Sequence, residues 1–301
     1  MGDLSSERND RLDVLAMGCV AIDDFLYVPE YPAPETKIRV TRGERRCGGL
    51  AGGALQTAAK LGARSAYAAT LGDDGLSGFV ANHFQAAGIS LAYLRRQPGV
   101  RPIHSTIIVD TTHHTRTVFF SLDGAQGAQE DWPPAHAIES SRVLFIDHYG
   151  IEGMIRAAKI ARAAGIPIVA DFERNEWPGF DQLLALVDHL IVSEAFAFKL
   201  TQDSSPERAC TRLHAGRQAT TVVVTCGSQG CWYCADGSAT ATHQPAFPVD
   251  VQDSTGCGDV FHGAYAVGLA RGTPLPERIR FASAAAALKA ATTNFPTSDD
   301  V

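Results

Sequence analysis

The chain has 301 residues, of which 45% are hydrophobic and 20% are charged, and its formal net charge is −7. This composition predicts a globular α/β protein, because so apolar a chain can bury enough surface to offset the entropy lost on ordering. The acidic balance and the lack of a basic run argue against nucleic-acid and membrane-surface partners. They do not exclude a phosphorylated ligand, since backbone amides can bind phosphate whatever the net charge of the protein.

The N-terminal segment, residues 1–12, is polar and lacks the apolar core of a signal peptide, so we predict a disordered leader and a cytoplasmic protein. No apolar run approaches the roughly 20 residues that a membrane helix needs. The seven cysteines are odd in number and scattered, which predicts reduced thiols. We interpret Cys231 and Cys234 as residues of a buried strand, because no second CxxC completes a zinc or redox pattern.

The first half of the chain contains two kinds of predicted strand. Residues 14–20 form a continuous apolar run, which predicts a strand buried on both faces. A strand at 65–71 lies between helices at 50–61 and 76–87, each followed by a glycine stop. Polar and apolar residues alternate instead in the segments 37–46, 104–110 and 116–122. This pattern predicts strands with one solvent-exposed face. With 25–28 they predict a small β lid inserted in two pieces, at about 25–46 and 104–122.

The second half alternates strands with helices. The predicted strands are 143–147, 166–171, 190–193 and 221–225, and the predicted helices are 152–164, 180–187, 206–215, 260–270 and 276–291. An antiparallel hairpin is predicted at 232–243. This alternation predicts a doubly wound, mainly parallel sheet with helices on both faces. We therefore predict a single α/β domain over residues 13–301, with the lid as its insertion.

The segment DSTGCGD, Asp253–Asp259, opens the predicted helix at 260–270. Glycines at a helix N-terminus expose backbone N–H groups, which together with the helix dipole form an anion site. Asp259 would lie beside that anion and could accept the proton of an attacking hydroxyl group. The alternative is that Asp259 only stabilises the helix by its negative charge near the N-terminus and has no catalytic role. A Rossmann motif would need glycine where Phe261 stands, and no P-loop motif is present.

DSTGCGD resembles the D-T-x-G-A-G-D signature of the ribokinase-like (PfkB) carbohydrate kinase family, with Ser254 and Cys257 in place of threonine and alanine. Four other segments are similar to family landmarks: GCVAID at 18–23, CGG at 47–49, LGDDG at 71–75 and TCGSQG at 225–230. The resemblance covers residues 13–292. The stretch 243–251, with DVFHG at 259–263, is similar in particular to sulfofructose kinases.

The resemblance implies a ribokinase-like sheet with a β lid over the substrate, and ATP with Mg²⁺ as phosphoryl donor. Asp259 would be the catalytic base, and the anion hole would be formed by the amides of Gly256, Cys257 and Gly258. The residues implied to contact the nucleotide are Thr225, Gly227, Gly230 and Thr255. The residues implied to hold the substrate are Asp23, Gly48 and Gly49. Lids pair between subunits in many relatives, which implies a homodimer through the lid.

Several positions depart from the family pattern. Gly53 stands where the family carries asparagine, so one contact to a sugar hydroxyl is missing or replaced. The metal-linked N-x-x-E motif is not kept at 193–196, which leaves Glu194 as the candidate carboxylate for Mg²⁺. Lys37 in the lid and His148 after the strand at 143–147 are further candidate substrate contacts. A solvated charge for Lys37 and simple packing for His148 remain open alternatives.

The first functional hypothesis is ATP-dependent phosphorylation of a hydroxyl group on a sugar or sugar-like small molecule. A nucleoside kinase of the same fold is an alternative, because Phe119 and Phe120 in the lid could stack on a base. A non-catalytic relative that binds nucleotide or sugar is a second alternative. The intact Gly256–Asp259 segment argues against it.

Overall fold

The structure is a computed structural model, and it describes residues 11–113, 115–215, 221–235, 237–292 and 294–301. Residues 1–10 of the predicted leader lie outside this part. Leu12 is already the first residue of a strand, so the predicted end of the leader at residue 12 is wrong. Among the described residues, no helix combines the length and the apolar character needed to cross a bilayer.

Two sheets account for the strands of the described residues. In chain order the strands are β1 (Leu12–Ala16), β2 (Ala21–Val28), β3 (Arg42–Gly48), β4 (Ser65–Leu71), β5 (Ser90–Arg96), β6 (Ile103–Asp110), β7 (Thr115–Ser121), β8 (Ser141–Ile146), β9 (Ile168–Asp171), β10 (His189–Ser193), β11 (Thr221–Thr225), β12 (Cys231–Ala235) and β13 (Thr242–Gln244). The main sheet has the order β13-β12-β11-β10-β9-β8-β1-β4-β5, and only β12 and β13 run antiparallel to their neighbours.

Helices cover both faces of the main sheet, which is why its central strands are apolar without alternation. The helices are α1 (Leu50–Lys60), α2 (Gly75–Ala86), α3 (Ala135–Glu139), α4 (Ile151–Ala163), α5 (Phe180–Leu184), α6 (Glu194–Thr201), α7 (Pro206–Ala215), α8 (Cys257–Ala270) and α9 (Leu275–Thr292). One apolar core contains residues of α3 to α7, and the other contains residues of α1, α2, α8 and α9. The predicted doubly wound, mainly parallel sheet with helices on both faces is therefore confirmed.

The second sheet has the order β3-β2-β6-β7 and corresponds to the predicted lid. Its central pair, β2 and β6, is parallel, and its two outer pairs are antiparallel. The prediction of a strand from Lys37 is wrong, because β3 begins only at Arg42. Residues 29–41 form a largely exposed irregular segment in which Ile38 and Val40 are each 39% exposed. The apolar members of that alternating pattern have no layer to pack against, so the pattern does not produce a strand.

Gly49, between β3 and α1, is a position where two stretches of backbone approach closely. Gly49 has φ 88° and ψ 154°, a combination that is almost confined to glycine. A Cβ atom there would lie 2.7 Å from the backbone nitrogen of Ala21 and from Cα of Val20. Only glycine therefore lets the end of the lid strand turn tightly into α1.

We expect Gly49→Ala to lower the free energy of unfolding by roughly 2 kcal/mol or more, because it adds a backbone collision to an unfavourable φ. Gly88→Ala is the matched control: Gly88 also has positive φ, 77°, but a Cβ there meets nothing within 4 Å. The control should lose only about 1 kcal/mol. Urea unfolding of both variants measures the difference, and equal losses would contradict the close contact.

Candidate active site

Helix α8 begins at Cys257, and its N-cap is Gly256, which adopts the left-handed conformation with φ 77°. The N–H groups of the first turn of a helix have no acceptor within the helix. Asp259 is the third residue of α8, so it lies in this first turn as predicted. The amide of Cys257 is directed to the carbonyl oxygen of Ser254 at 3.3 Å. The three amides of the predicted anion hole are therefore not equally free in this state.

The side chain of Asp259 packs against α1 at Gly53. A Cβ atom on Gly53 would lie 2.5 Å from Cβ and 2.6 Å from Oδ2 of Asp259, so α1 has no room for a larger residue here. Within the described residues, no group donates a hydrogen bond to the Asp259 carboxylate. Burial raises the pKa of Asp259 well above its ordinary value, and the charges of Asp171 and Glu173 raise it further. This carboxyl group is partly desolvated and without a partner.

The predicted substrate residues of the lid lie close to Asp259. Asp23 is on β2, and a Cβ atom on Gly48 would lie only 2.7 Å from its Oδ2. Burial raises the pKa of Asp23, while a hydrogen bond from Ser105 and the charge of Arg46 oppose the increase. The Asp23 charge in turn raises the pKa of Asp259. The two carboxyl groups are therefore close enough to interact electrostatically, at the junction of the lid, α1 and α8.

On the other side of the anion hole lies a cavity of about 460 Å³. Its lining brings together residues that sequence reasoning assigned to the nucleotide and to the anion hole: Thr225, Gly227, Gly230, Cys257 and Gly258. The opposite walls are largely apolar and include Phe247, Pro248, Val249, Val251, Ala286 and Ala287. Such a slot can hold a flat apolar group while the helix N-terminus at its end receives an anion.

Two arginines of the lid contact the loop that precedes α8. Arg46 of β3 donates from Nη1 to Oδ2 of Asp253 at 2.6 Å, and Arg116 of β7 donates to the hydroxyl group of Thr255. The backbone N–H of Thr255 donates to Oδ1 of Asp253 at 2.9 Å. Burial raises the pKa of Asp253, but Arg46 and Thr255 outweigh it, so the net result is a pKa of about 2. Thr255, predicted as a nucleotide contact, is instead engaged with the lid and does not line the cavity.

Three predicted residues are connected less directly to this site. His148 is 1% exposed, and its ring packs against Tyr149 and Trp177 with centroid distances of 4.6 and 5.1 Å. Its Nδ1 atom accepts a hydrogen bond from the backbone N–H of Glu173 at 3.4 Å, and burial lowers its pKa to about 4. Lys37 lies in the exposed irregular segment. Glu194 is the half-buried first residue of α6, and no group of three or more metal-ligating side chains occurs among the described residues.

Sequence reasoning missed two charged residues of the site, Glu173 and Lys289. Glu173 follows β9, and its charge raises the pKa of Asp259. Lys289 of α9 is 3% exposed, and within the described residues its Nζ atom has no hydrogen-bond partner. Burial lowers the pKa of Lys289, while the charges of Asp253 and Cys257 oppose the decrease. The burial of Lys289 could have been predicted from the sequence, because Lys289 stands at helical spacing from Ala282 and Ala285, on the face that the helix buries.

Comparisons with known proteins give a matching family model and similar solved structures. The sequence model of the pfkB family carbohydrate kinases matches residues 11–298. The bifunctional protein HldE of Pseudomonas putida is 28% identical over an alignment of 302 positions, which covers 95% of this chain and 61% of the relative. The chain thus spans about three fifths of the length of the curated relatives it matches.

Solved structures show the same fold. Arabidopsis thaliana ribokinase, complexed with ribose and ATP, has a TM-score of 0.85 at 21% identity, and the match covers 96% of this chain and 97% of that chain. Burkholderia thailandensis nucleoside kinase, in complex with inosine, has a TM-score of 0.75 at 21% identity, with 95% and 94% covered. At these identities the likeness concerns the fold alone.

The anion site can be tested through Cys257, which is half-buried while the other six cysteines are buried. Burial raises the pKa of the Cys257 thiol, so labelling by a thiol reagent should be slow at neutral pH and faster in alkaline buffer. We expect tripolyphosphate to slow the labelling of Cys257, measured by mass spectrometry of the peptide. Cys257→Ala identifies the labelled site, and an unchanged rate at saturating tripolyphosphate would contradict an anion site here.

Proposed function

Because the chain belongs to the pfkB family of carbohydrate kinases, we propose that it transfers the γ-phosphoryl group of ATP to a hydroxyl group of a sugar or sugar-like small molecule. The observation that carries the proposal is the first turn of α8. It places the N-terminal backbone amides of a helix at a cavity of nucleotide size, and an unpartnered carboxyl group, Asp259, on the side of Asp23. Donor and acceptor would therefore meet at one helix terminus.

On the donor side, the apolar walls of the cavity would hold the adenine ring. The turn at Gly227–Gln229 and Gly230 would approach the phosphate groups, which end at the N-terminus of α8. Charge develops on the transferred phosphoryl group during the reaction, and preorganised amides stabilise such charge at no cost in reorganisation. The buried ammonium group of Lys289 adds a positive charge behind this loop.

On the acceptor side, Asp259 would accept the proton of the attacking hydroxyl group. Its carboxylate is suited to this role because no protein group among the described residues occupies it. Asp23, Gly48 and Gly49 would hold other hydroxyl groups of the acceptor. The family asparagine is absent at Gly53, and the space beside it is taken by Asp259 itself. Contacts of the acceptor with Lys37 and His148 stay predictions.

The lid would exclude water from the reacting groups, since a kinase must favour the acceptor hydroxyl group over hydrolysis. Arg46 and Arg116 join the lid to the loop before α8, so lid position and loop position are coupled. When phosphate oxygens arrive, the exposed guanidinium group of Arg116 can exchange the Thr255 hydroxyl group for an anion. A homodimer through the lid stays a prediction.

Mg²⁺ usually keeps several waters and binds through substrate phosphates and one or two carboxylates. The site fits that mode, because the described residues contain no cluster of three metal-ligating side chains and offer Glu194 as a single carboxylate near the end of β10. When bound, the ion would neutralise phosphate charge. Glu194 would hold it only through one oxygen or an intervening water.

A nucleoside is the second candidate acceptor. The supporting observation is the lid strand β7, on which Phe119 and Phe120 are 52% and 51% exposed. The guanidinium group of Arg174 lies 5.5 Å from the ring centroid of Phe120, so that ring is held at the edge of the cleft. An aromatic side chain there could stack on a base. A panel of acceptors that includes sugars, anionic sugars and nucleosides separates the two candidates.

We expect Asp259→Asn to lower turnover by about 10²-fold or more, because it removes the base while keeping the shape of the side chain. Release of ADP from Mg-ATP across the acceptor panel measures the loss. Circular dichroism and calorimetric titration with ATP should show an unchanged fold and unchanged nucleotide affinity. Full activity of the variant would remove Asp259 from this role. Nucleotide binding without turnover in the wild type, for every acceptor, would support the non-catalytic alternative.

The pH dependence of kcat/KM should show an acidic limb that reports the ionisation of Asp259. The base must be charged, so activity rises with pH, and the raised pKa places the limb above the ordinary carboxyl range. Glu173→Gln removes a negative charge that raises this pKa, so we expect the limb to move to lower pH. Glu176→Gln is the matched control, because Glu176 is exposed, pairs with Lys199 and is not among the main influences on the pKa of Asp259. A limb unmoved by Glu173→Gln would contradict the assignment.

A further inference from the structure

The imidazole ring of His262 lies one turn beyond Asp259 on α8, and it is surrounded by oxygen atoms. Its Nδ1 atom is 2.8 Å from the carbonyl oxygen of Gly258, and its Nε2 atom is 3.0 Å from the carbonyl oxygen of Ile191 in β10. Oδ2 of Asp171, at the end of β9, is 3.4 Å from Nδ1. His262 is 4% exposed and Asp171 is 5% exposed, so water does not reach this cluster freely.

These contacts determine the protonation state of the ring. A carbonyl oxygen can only accept a hydrogen bond, so a ring nitrogen that faces one must carry a proton to be satisfied. A neutral imidazole has one N–H group, and its other nitrogen would point a lone pair at a carbonyl oxygen. A protonated Asp171 could donate to Nδ1, but the lone pair of Nδ1 would then still face Gly258. Only the doubly protonated ring satisfies both carbonyl groups.

A buried positive charge needs a buried counter-charge, and Asp171 is placed to supply it. The ring is the one cation within salt-bridge distance of Asp171 in the described part of the chain. The other titratable groups that act on the pair are acids: Glu173 and Asp147, together with Asp259 on the same side. Burial lowers the pKa of His262, although its two carbonyl acceptors and the charge of Glu173 oppose the decrease. Burial and the charges of Glu173 and Asp147 raise the pKa of Asp171. These influences favour the neutral forms, so the charged pair is inferred from the contacts alone: both ring nitrogens lie at donor distance from a carbonyl oxygen, and a neutral ring has a hydrogen for only one of them.

We propose that His262 and Asp171 form a buried imidazolium–carboxylate pair that positions the Gly258–Asp259 peptide, which joins the last residue of the anion hole to Asp259. The ring ties this peptide to β9 and β10, in addition to the hydrogen bond that the carbonyl oxygen of Gly258 accepts within α8. The first turn of α8, whose Cys257 and Gly258 line the cavity, is thereby fixed against the sheet. His262 and Asp171 are positioning residues that act through Gly258, and this half of the inference rests on the proposed function.

The pair can be observed without any turnover, by nitrogen NMR of the full chain labelled with ¹⁵N-histidine. His262→Asn assigns the resonances of His262. His189 serves as an internal reference, because it is also buried and its Nδ1 atom is hydrogen bonded to the hydroxyl group of Tyr265 at 3.0 Å. At neutral pH we expect both ring nitrogens of His262 to be protonated, and His189 to be neutral. In Asp171→Asn the loss of the counter-charge should make His262 release a proton at lower pH.

A neutral ring at His262 in the wild type would overturn the ion pair, and an identical titration in Asp171→Asn would overturn the role of Asp171. Positioning is tested by adding ADP, which should shift the Nδ1 resonance of His262 through Gly258 and leave His189 unmoved. No shift at saturating ADP would overturn that part. In activity assays we expect His262→Asn to lower kcat by up to about 10²-fold with little change in KM for ATP. If no acceptor supports turnover while the ring is doubly protonated, the proposed function fails and the pair stands.

Discussion

The close approach of α1 and α8 is the constraint on which the site depends. At Gly53 the missing side chain lets α1 touch Asp259, and one turn further along α8 a Cβ atom on Gly263 would lie 2.4 Å from the carbonyl oxygen of Ala54. Each helix contributes one glycine: Gly53 leaves room for the side chain of Asp259, and Gly263 lets the backbone of α8 approach that of α1. This contact brings the glycine-rich start of α1, next to the lid, within reach of the start of α8. It also withdraws the carboxyl group of Asp259 from bulk water.

The same constraint concentrates negative charge at the acceptor side. Asp23, Asp171 and Glu173 all raise the pKa of Asp259, and Lys289 is the positive charge that opposes them. Functional sites commonly hold groups with perturbed pKa values, because burial and like charges tune a base toward the working pH. On the cavity side positive charge dominates, because the amides at the start of α8, Lys289 and the lid arginines surround the loop that precedes α8. The two halves of the cleft therefore differ in sign, which suits a neutral acceptor on one side and a polyphosphate on the other.

The sequence alone predicted the parts of the fold that depend on local pattern. β4, α7 and β11 match their predicted bounds, because glycine stops, turn residues and continuous apolar runs mark them. The edge strand β5 and the short helix α6 were missed: β5 is only partly buried, and α6 follows β10 directly from its Ser193 cap. The prediction of a strand from Lys37 was wrong, because alternation of polar and apolar residues predicts a strand only where a second layer covers the apolar face.

Residues of the candidate site could be predicted where they belong to a sequence motif. They could not be predicted where only the packing of the fold brings them to the site. Residues of two glycine-containing segments, around Gly227 and Gly258, do line one cavity. The roles came from resemblance to a family, since spacing alone left Asp259 as a simple helix charge. Glu173 and Lys289 could not be assigned, because their importance depends on which charges the fold brings near Asp259.

The central claim is transfer of a phosphoryl group to an acceptor hydroxyl group, and ³¹P NMR of the products tests it most directly. The wild-type chain would be incubated with Mg-ATP and pooled sugars, anionic sugars and nucleosides, each pool with a minus-acceptor control. We expect a new phosphomonoester resonance that appears in step with ADP and only with one acceptor class. Inorganic phosphate as the sole new product, or ADP formed equally without an acceptor, would contradict the claim.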